Sequence, residues 1–175
     1  MKLEIAEIIN NVGQQGTAPI EQPCPPDADL ECIEPVRGTL RLTNTGRYLL
    51  VQGELRTIVQ VDCSRCLKQV QVPLAAPIEE EFPLPVMDER GVVHWETDED
   101  AGAPILHDYL LDVDELARQH LSLALPTAPV CDAACRGLCP GCGENLNEGP
   151  CTCRPETVDP RLAGLRALLD EGDRE

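Results

Sequence analysis

The sequence predicts an α+β protein in which an antiparallel β-meander or small open barrel carries one packed helix, a C-terminal four-cysteine module and a short C-terminal helix. Three features favour this class: alternating apolar residues between positions 36 and 84, one helical pattern near position 113, and six cysteines between positions 131 and 153. We therefore expect a β-sheet domain over residues 1–130 and a cysteine-rich segment with the C-terminal helix over residues 131–175.

The start of the chain has little periodicity. Residues 1–12 alternate well enough to predict a first strand. Residues 13–35 are rich in proline and show no period, so we predict a loop there. This loop contains Cys24 and Cys32, and their spacing leaves three alternatives open: spare thiols, a local disulfide, or a contact to a metal ion.

The clearest β pattern starts at Val36. A tight turn at residues 44–46 separates the first strand of the meander from a second strand whose apolar residues all lie on one face. So long a strand should bend, and we expect the bend at Gly53. The hairpin that follows would carry a pair of cysteines at its tip. The four predicted strands span residues 36–43, 48–61, 70–74 and 78–84.

After the meander, residues 85–104 are acidic and predict a second loop. Residues 105–111 predict a last strand. The spacing of Asp112 and Glu115 is that of a capping box, which would open a helix that continues to Leu125. Apolar residues recur along this helix at helical spacing, so it should pack on the sheet.

The C-terminal helix is predicted from residue 159 onward. Asp159 and Pro160 form an N-cap followed by proline at the first helical position, and leucines form a narrow stripe behind them. A helix of about ten residues is marginal alone, so we expect it to pack on this domain or on a partner.

Eight of the ten cysteines occur in close pairs. Two cysteines on a tight turn aim two thiolates at one point, which is the arrangement that tetrahedral zinc needs. Two C-x2-C pairs, one C-x3-C pair and one C-x-C pair are present: Cys63 with Cys66, Cys139 with Cys142, Cys131 with Cys135, and Cys151 with Cys153.

These four pairs predict two closed zinc sites. The C-terminal four-cysteine zinc module would use Cys139, Cys142, Cys151 and Cys153. A second site would join Cys63 and Cys66 to Cys131 and Cys135. A single site built from Cys63, Cys66 and two downstream cysteines would satisfy the same spacings, so the sequence leaves open whether one or two zinc ions bind.

The composition limits the possible partners and the compartment. The formal net charge of −17 disfavours nonspecific nucleic-acid binding and favours a basic macromolecular partner. No signal peptide is recognisable at the start, and no apolar stretch approaches the length of a membrane span. We therefore expect a cytoplasmic protein with no membrane partner, whose paired cysteines bind metal in a reducing compartment.

Several segments resemble the YceD-like family of bacterial proteins, described as large ribosomal RNA subunit accumulation proteins. The resemblance extends from about Val36 to Leu169 and rests on CSRCL at 63–67, LSLALPTAPVC at 121–131, GLCPGCGENLNEGPCTC at 137–153 and DPRLAGLRALL at 159–169. It implies a role in the accumulation of large-subunit ribosomal RNA and hence in ribosome assembly. Family members are also often encoded beside a small basic protein of the large subunit.

Our first hypothesis is a non-enzymatic, zinc-stabilised module that holds a basic ribosomal protein or a protein–RNA surface of the large subunit or its precursor. A cluster of cations beside the cysteine pairs could contact RNA, or could instead offset the negative charge of the thiolates. These cations are Arg65, Lys68, Arg136 and Arg154.

The alternative hypothesis is a metal–thiolate redox or metal-handling protein, because cysteine pairs of this spacing also bind iron. The sequence offers little for an enzyme that acts on a small-molecule substrate. Its three histidines are isolated and no glycine-rich phosphate loop is present, so we predict no catalytic residues.

Overall fold

The computed structural model describes residues 1–25, 30–87, 90, 93–94 and 105–153. Antiparallel strands dominate this part of the chain. In chain order the elements are β1 (Lys2–Glu4), α1 (Ala6–Ile9), β2 (Gln15–Gln22), β3 (Glu31–Cys32), β4 (Val36–Asn44), β5 (Tyr48–Asp62), β6 (Gln69–Pro83), β7 (Val86–Met87), β8 (Val93–His94), β9 (Leu106–His107), β10 (Leu110–Asp112) and α2 (Val113–Ala124).

The main sheet is a meander built on β5. Strand β5 pairs with β4 and β3 on one side and with β6 on the other, and β2 extends the sheet beyond β4. The pairing of β5 with β6 runs without interruption from Tyr48 opposite Pro83 to Asp62 opposite Gln69. The antiparallel meander predicted from residue 36 onward is thereby confirmed.

The predicted third and fourth strands of the meander form one continuous strand, β6, so the prediction of two separate strands is wrong. The residues between the two predicted strands, as well as Pro73 and Pro77, lie inside the continuous pairing with β5. Within the described residues β6 is an edge strand, since it pairs with β5 alone. Proline is tolerated on an edge strand because its missing N–H can face away from the partner.

The predicted loop at residues 13–35 is also wrong in part. Strand β2 pairs with β4 in register, from Gln15 opposite Thr43 to Gln22 opposite Val36. Ile20 is the one buried apolar residue of β2. The strand is therefore stabilised by its pairing with β4 more than by an apolar pattern of its own. Of the three alternatives for Cys24 and Cys32, the structure has the local disulfide.

Both ends of the predicted sheet domain differ from expectation. The first strand ends at Glu4 and is followed by the single helical turn α1, because Ile5 and Ile9 turn inward to the core. The predicted strand at 105–111 is the hairpin β9–β10, whose turn residues Asp108 and Tyr109 both have positive φ. Such a turn matches the twist of paired strands, and β1 completes a small sheet beside β10.

Helix α2 starts where the sequence predicts. The Asp112 side chain accepts hydrogen bonds from the backbone N–H groups of Asp114 and Glu115, so it is the N-cap. The Glu115 side chain instead bonds to Arg118, so only half of the capping box forms. The apolar face of α2 packs on β6 and buries Val113, Leu116, Ala117 and Leu121.

Three further expectations concern the remaining segments. The predicted loop at 85–104 contains the short pair β7–β8, and its other described residues are too few to test the loop as a whole. The predicted C-terminal helix lies outside the described residues. Among the described residues, no helix is long and apolar enough to cross a membrane.

Gly53 is a point of close approach between strands. A Cβ atom added at Gly53 would lie 2.1 Å from the backbone oxygen of Thr39 on β4. The pairing of β5 with both neighbours continues through Gly53 in a single register, so the residue marks close strand contact and not a bulge.

We predict that Gly53→Ala lowers the free energy of unfolding by roughly 1–3 kcal/mol or more, because the added methyl group overlaps backbone that cannot move aside. Denaturant unfolding followed by circular dichroism would measure the change. The matched control is Gly149→Ala, which adds the same methyl group where no atom lies within 4 Å. Equal stability of the two variants would contradict the close-contact account.

Candidate metal centres

Cys63 and Cys66 lie at the tip of the β5–β6 hairpin, as predicted. The turn is closed by hydrogen bonds from Cys63 N to Lys68 O at 2.8 Å and from Leu67 N to Cys63 O at 2.9 Å. Leu67 has a φ of 58°, a left-handed conformation in which glycine is more usual. The hairpin thus holds both thiols rigidly at one end of the sheet.

The chain that leaves α2 returns to this tip. Pro129 O accepts hydrogen bonds from the Ser64 backbone N at 2.8 Å and from its hydroxyl at 3.0 Å. This contact delivers Cys131 to Cys66, with their sulfur atoms 3.6 Å apart. The Cys135 and Cys63 sulfur atoms lie 3.9 Å apart.

These four sulfur atoms form what we call the hairpin cluster. All of them lie within 4.8 Å of one another: Cys63, Cys66, Cys131 and Cys135. Three of the four side chains are buried and Cys131 is exposed. The pairs come from segments about 70 residues apart in sequence, so only the folded sheet brings them together.

The second group, which we call the C-terminal cluster, is local in sequence. Its sulfur atoms also lie within 4.8 Å of one another, and they belong to Cys139, Cys142, Cys151 and Cys153. A tight turn forms the first pair, since Gly143 has a φ of 77° and its N–H donates to Cys139 O at 2.9 Å. Cys139 is buried, and the other three are partly or fully exposed.

Both clusters could hold metal ions. Zinc in a tetrahedral site binds sulfur at about 2.3 Å, which places the sulfur atoms about 3.8 Å from one another. Three of the sulfur–sulfur pairs in the two clusters are separated by 3.3, 3.6 and 3.9 Å. The eight thiols therefore form the two groups of four that their spacing predicts, and not one shared group. That they bind metal stays a prediction.

The thiols within each cluster differ in acidity. A backbone hydrogen bond from Cys66 lowers the pKa of Cys63 to about 6, and one from Cys142 lowers the pKa of Cys139 to about 6. A hydrogen bond with the Cys135 sulfur raises the pKa of Cys131 to about 12, and one with the Cys142 sulfur does the same for Cys153. At neutral pH each cluster thus contains one cysteine that is mostly thiolate and one that stays protonated.

Three of the four cations named from sequence lie near the hairpin cluster, and their roles differ. The Arg65 guanidinium donates to the backbone oxygen of Cys135 at 3.0 Å, so it holds the cysteine loop in place. The side chains of Lys68 and Arg136 are exposed at the same end of the molecule. Arg154 lies outside the described residues.

Sequence analysis missed one residue of this site. Asn147 lies between Cys142 and Cys151, but its side-chain nitrogen donates to the Cys135 sulfur at 3.4 Å in the hairpin cluster. This hydrogen bond is the largest contribution that lowers the pKa of Cys135. An asparagine inside a cysteine-rich loop is a weak signal in sequence, and only the fold shows which sulfur it reaches.

Fold and site together define a class of protein: an antiparallel β-sheet with one packed helix and two four-thiol clusters of the kind that bind structural metal ions. The chain belongs to the YceD family. The matching family model is described as "Large ribosomal RNA subunit accumulation protein YceD" and covers residues 51–169, which include all eight clustered cysteines.

Several curated proteins are similar to the chain. An uncharacterized protein of Mycobacterium tuberculosis is 33% identical over 132 residues, which cover 74% of this chain and 60% of that protein. The chloroplastic large ribosomal RNA subunit accumulation protein YCED homolog 1 of Zea mays is 28% identical over 71% of this chain and 50% of its own length. Its Arabidopsis thaliana counterpart is 25% identical, with coverage of 78% and 49%.

The chain therefore spans about half to three fifths of the length of these relatives. No solved structure matches it.

We predict that Cys142→Ser lowers the metal content of the purified chain from about two ions to about one and unfolds the C-terminal cluster, while the β-sheet stays folded. The reason is that this segment contains few apolar residues and depends on the metal for its structure. Inductively coupled plasma mass spectrometry would give the content and identity of the metal, and near-ultraviolet and far-ultraviolet circular dichroism would report the fold.

The control replaces the two cysteines of the disulfide, Cys24 and Cys32, by serine. This double variant should keep its full metal content, because neither sulfur belongs to a cluster. An unchanged metal content in Cys142→Ser would contradict the assignment of that cluster. Iron in place of zinc would favour the redox or metal-handling alternative.

We also predict that zinc affinity falls as pH is lowered. At neutral pH zinc must displace the protons on Cys131 and Cys153, whose pKa values are raised to about 12. Below about pH 6 the thiolates of Cys63 and Cys139 also take up protons, so the decline should become steeper there. Chelator competition at a series of pH values would measure the slope, and a flat profile would be inconsistent with thiolate ligands.

Proposed function

We propose that the chain is a non-enzymatic, zinc-stabilised factor in biogenesis of the large ribosomal subunit that supports accumulation of the large-subunit ribosomal RNA. The observation that carries this proposal is the family match over residues 51–169, because it covers the β5–β6 hairpin and both cysteine clusters together. The part of the chain that matches this family model is thus the part that contains the candidate metal centres.

Zinc is the metal that fits the clusters best. Four closely spaced cysteines per site, with no histidine or carboxylate among the four, are typical of closed structural zinc sites. A closed site has no open coordination position for substrate, which supports a structural role for the metal. Such a site favours binding of a macromolecule over catalysis on a small-molecule substrate.

The acidic surface favours a basic ribosomal protein as partner. The chain has a net charge of −17, and several of its arginines are neutralised by carboxylates on their own strand, strand pair or helix. These ion pairs join Arg37 to Glu21, Arg56 to Glu54, and Arg118 to Glu115. Glu79 and Glu81, by contrast, are exposed on the outward face of β6 and available to a positively charged partner.

The end of the molecule that carries the hairpin cluster favours an RNA contact. Lys68 and Arg136 are exposed there, and Lys68 borders a surface cavity of about 330 Å³ that Asp132 and Glu148 also line. We propose that Lys68 and Arg136, with Arg154 from the adjoining segment, contact phosphates of the ribosomal RNA or of a protein–RNA surface. Arg65 is better explained as a support of the cysteine loop, since its guanidinium bonds to backbone oxygens.

The proposed factor acts in the cytoplasm, where large subunits are assembled in bacteria. Its eight clustered cysteines are thiols in the structure, which is consistent with metal binding in a reducing compartment, whereas the Cys24–Cys32 disulfide would have to resist reduction there.

We predict that cells from which the gene for this chain is removed accumulate less large-subunit than small-subunit ribosomal RNA, and that the intact chain restores the ratio. Two charge-reversed variants separate the proposed contacts: Lys68→Glu with Arg136→Glu for RNA, and Glu79→Lys with Glu81→Lys for a basic protein. The first should weaken binding to large-subunit RNA fragments and reduce the slope of log affinity against log salt by about two, one for each phosphate that is no longer neutralised.

The matched control is Arg41→Glu with Arg47→Glu, which makes the same charge change at exposed arginines remote from the cysteine clusters. A normal RNA ratio in cells without the chain would refute the role in accumulation. If the control weakens RNA binding as much as the Lys68 and Arg136 pair, the proposed RNA contact is wrong and only net charge matters. If the variant Glu79→Lys with Glu81→Lys restores the ratio of large-subunit to small-subunit RNA fully, the outward face of β6 does not bind the basic partner.

A further inference from the structure

Asn147 connects the two cysteine clusters. In sequence it belongs to the C-terminal cluster, since it lies between the cysteines at 142 and 151. In space its amide nitrogen donates to the sulfur of Cys135 in the hairpin cluster, at 3.4 Å. Its amide oxygen accepts a hydrogen bond from the backbone N–H of Arg136 at 2.8 Å. One side chain therefore ties the loop of one cluster to a thiol of the other.

The orientation of this amide is fixed by Asn145. The side-chain oxygen of Asn145 accepts hydrogen bonds from the Asn147 backbone N at 3.0 Å and from the Asn147 side-chain nitrogen at 2.8 Å. With its oxygen committed to Arg136, the amide can turn only its nitrogen toward Cys135. A thiolate is an acceptor, so this is the orientation that stabilises it.

The position of Asn147 depends on the C-terminal cluster. Residues 143–150 form a loop whose two ends are Cys142 and Cys151, both members of that cluster. Within the loop Leu146 is the one large apolar residue, and its N–H donates to Gly137 O at 2.9 Å. So little apolar surface cannot order the loop alone, and a metal ion that joins its ends would do so.

Leu138 and its backbone provide a second connection between the two clusters. Leu138 packs against the buried thiols of the hairpin cluster and forms a β-bridge with Asn145. Its N–H donates to Arg65 O at 3.0 Å, and the Arg65 guanidinium donates to Cys135 O. The segment that leads into the C-terminal cluster is therefore also one side of the hairpin cluster.

We infer that the two metal sites are thermodynamically coupled and that Asn147 is the positioning residue that couples them: an ion in the C-terminal cluster orders Asn147 against Cys135 and so tightens metal binding at the hairpin cluster. The inference rests on the proposed metal binding at both clusters. By linkage the effect is reciprocal, so an ion in the hairpin cluster strengthens binding at the C-terminal cluster by the same factor.

The size of the effect follows from the kind of contact. Residues that hydrogen-bond to metal ligands typically change metal affinity by about 10- to 100-fold when they are replaced. We therefore expect a coupling factor of about tenfold or more between the two sites.

The test measures Zn²⁺ affinity of the full chain by competition with chelators of known affinity. Cys139→Ser with Cys142→Ser leaves the hairpin cluster alone, and Cys63→Ser with Cys66→Ser leaves the C-terminal cluster alone. The coupling factor is the product of the two affinities in the unaltered chain divided by the product of the two single-site affinities. Far-ultraviolet circular dichroism of each variant confirms that the β-sheet is folded.

Asn147→Asp then removes the hydrogen bond, because the new side chain keeps the oxygen that accepts from Arg136 but cannot donate to sulfur; it also adds a negative charge, so the same change is measured in the chain with only the hairpin cluster. This variant keeps all eight thiols, so the product of its two Zn²⁺ affinities tests the inference even if the cysteine variants fold poorly: that product should fall about tenfold or more below the product in the unaltered chain. We expect the coupling factor to fall to one or below. In the chain with only the hairpin cluster, where Asn147 is not held in place, the same change should alter affinity by less than about threefold.

A spectroscopic readout separates positioning from general destabilisation. With Co²⁺ in place of Zn²⁺, removal of a hydrogen bond to a thiolate should move the sulfur-to-cobalt charge-transfer band of the hairpin cluster to longer wavelength. Glu148→Gln is the control, since Glu148 lies in the same loop but its carboxylate contacts Asn145 and no sulfur. It should leave both the band and the affinities unchanged.

The outcomes distinguish this inference from the proposed function. Two zinc ions per chain with a coupling factor near one would refute the coupling and leave the metal sites intact. A factor of ten that persists in Asn147→Asp would refute the role of Asn147. An unaltered chain that binds no zinc would refute the proposed metal sites and the coupling together.

Discussion

The continuous pairing of β5 with β6 determines where the core and the first cysteine pair lie. Side chains alternate between the faces of a strand, so a shift of one residue in this register would move Leu49, Val51 and Val59 from the core to solvent. The same register sets the tip of the hairpin and the direction of its thiols. Helix α2 packs on β6, and the chain that leaves it therefore returns to that tip.

How much of this could be predicted depends on whether the signal is local. Strand β5 alternates along its own sequence, and the cysteine pairs show their spacing directly, so both were predictable. Strand β2 carries a single large buried apolar residue, Ile20, and exists because β4 offers a partner. Strand β6 contains prolines, which are typical of strand ends, but its position at the edge of the sheet allows it to continue through them. The contact of Asn147 with Cys135 joins two loops, and no local pattern encodes such a contact.

Charge explains why the clusters and the cations lie together. Eight thiolates around two zinc ions would add about four negative charges to a chain that already carries −17. Arg65 lies against the hairpin cluster and bonds to the backbone that holds Cys135, so it offsets part of that charge and fixes the loop at once. The side chains of Lys68 and Arg136 are exposed at the same end of the molecule. For these two side chains the described structure shows no hydrogen bond to the cysteine loop like that of Arg65. The exposed side chains of Lys68 and Arg136 could contact RNA phosphates locally while the acidic body faces a basic protein.

The two parts of the molecule should respond differently to metal. The sheet buries a continuous apolar core against α2, so we expect it to stay folded without an ion. The segment from Cys139 to Cys153 has almost no apolar residues to bury, and its turns are organised around sulfur atoms. Since Arg136 lies between the clusters and Lys68 lies beside the hairpin cluster, the shape of the proposed RNA-contacting surface depends on metal occupancy. Metal content would then control partner binding in a protein whose fold is otherwise constant.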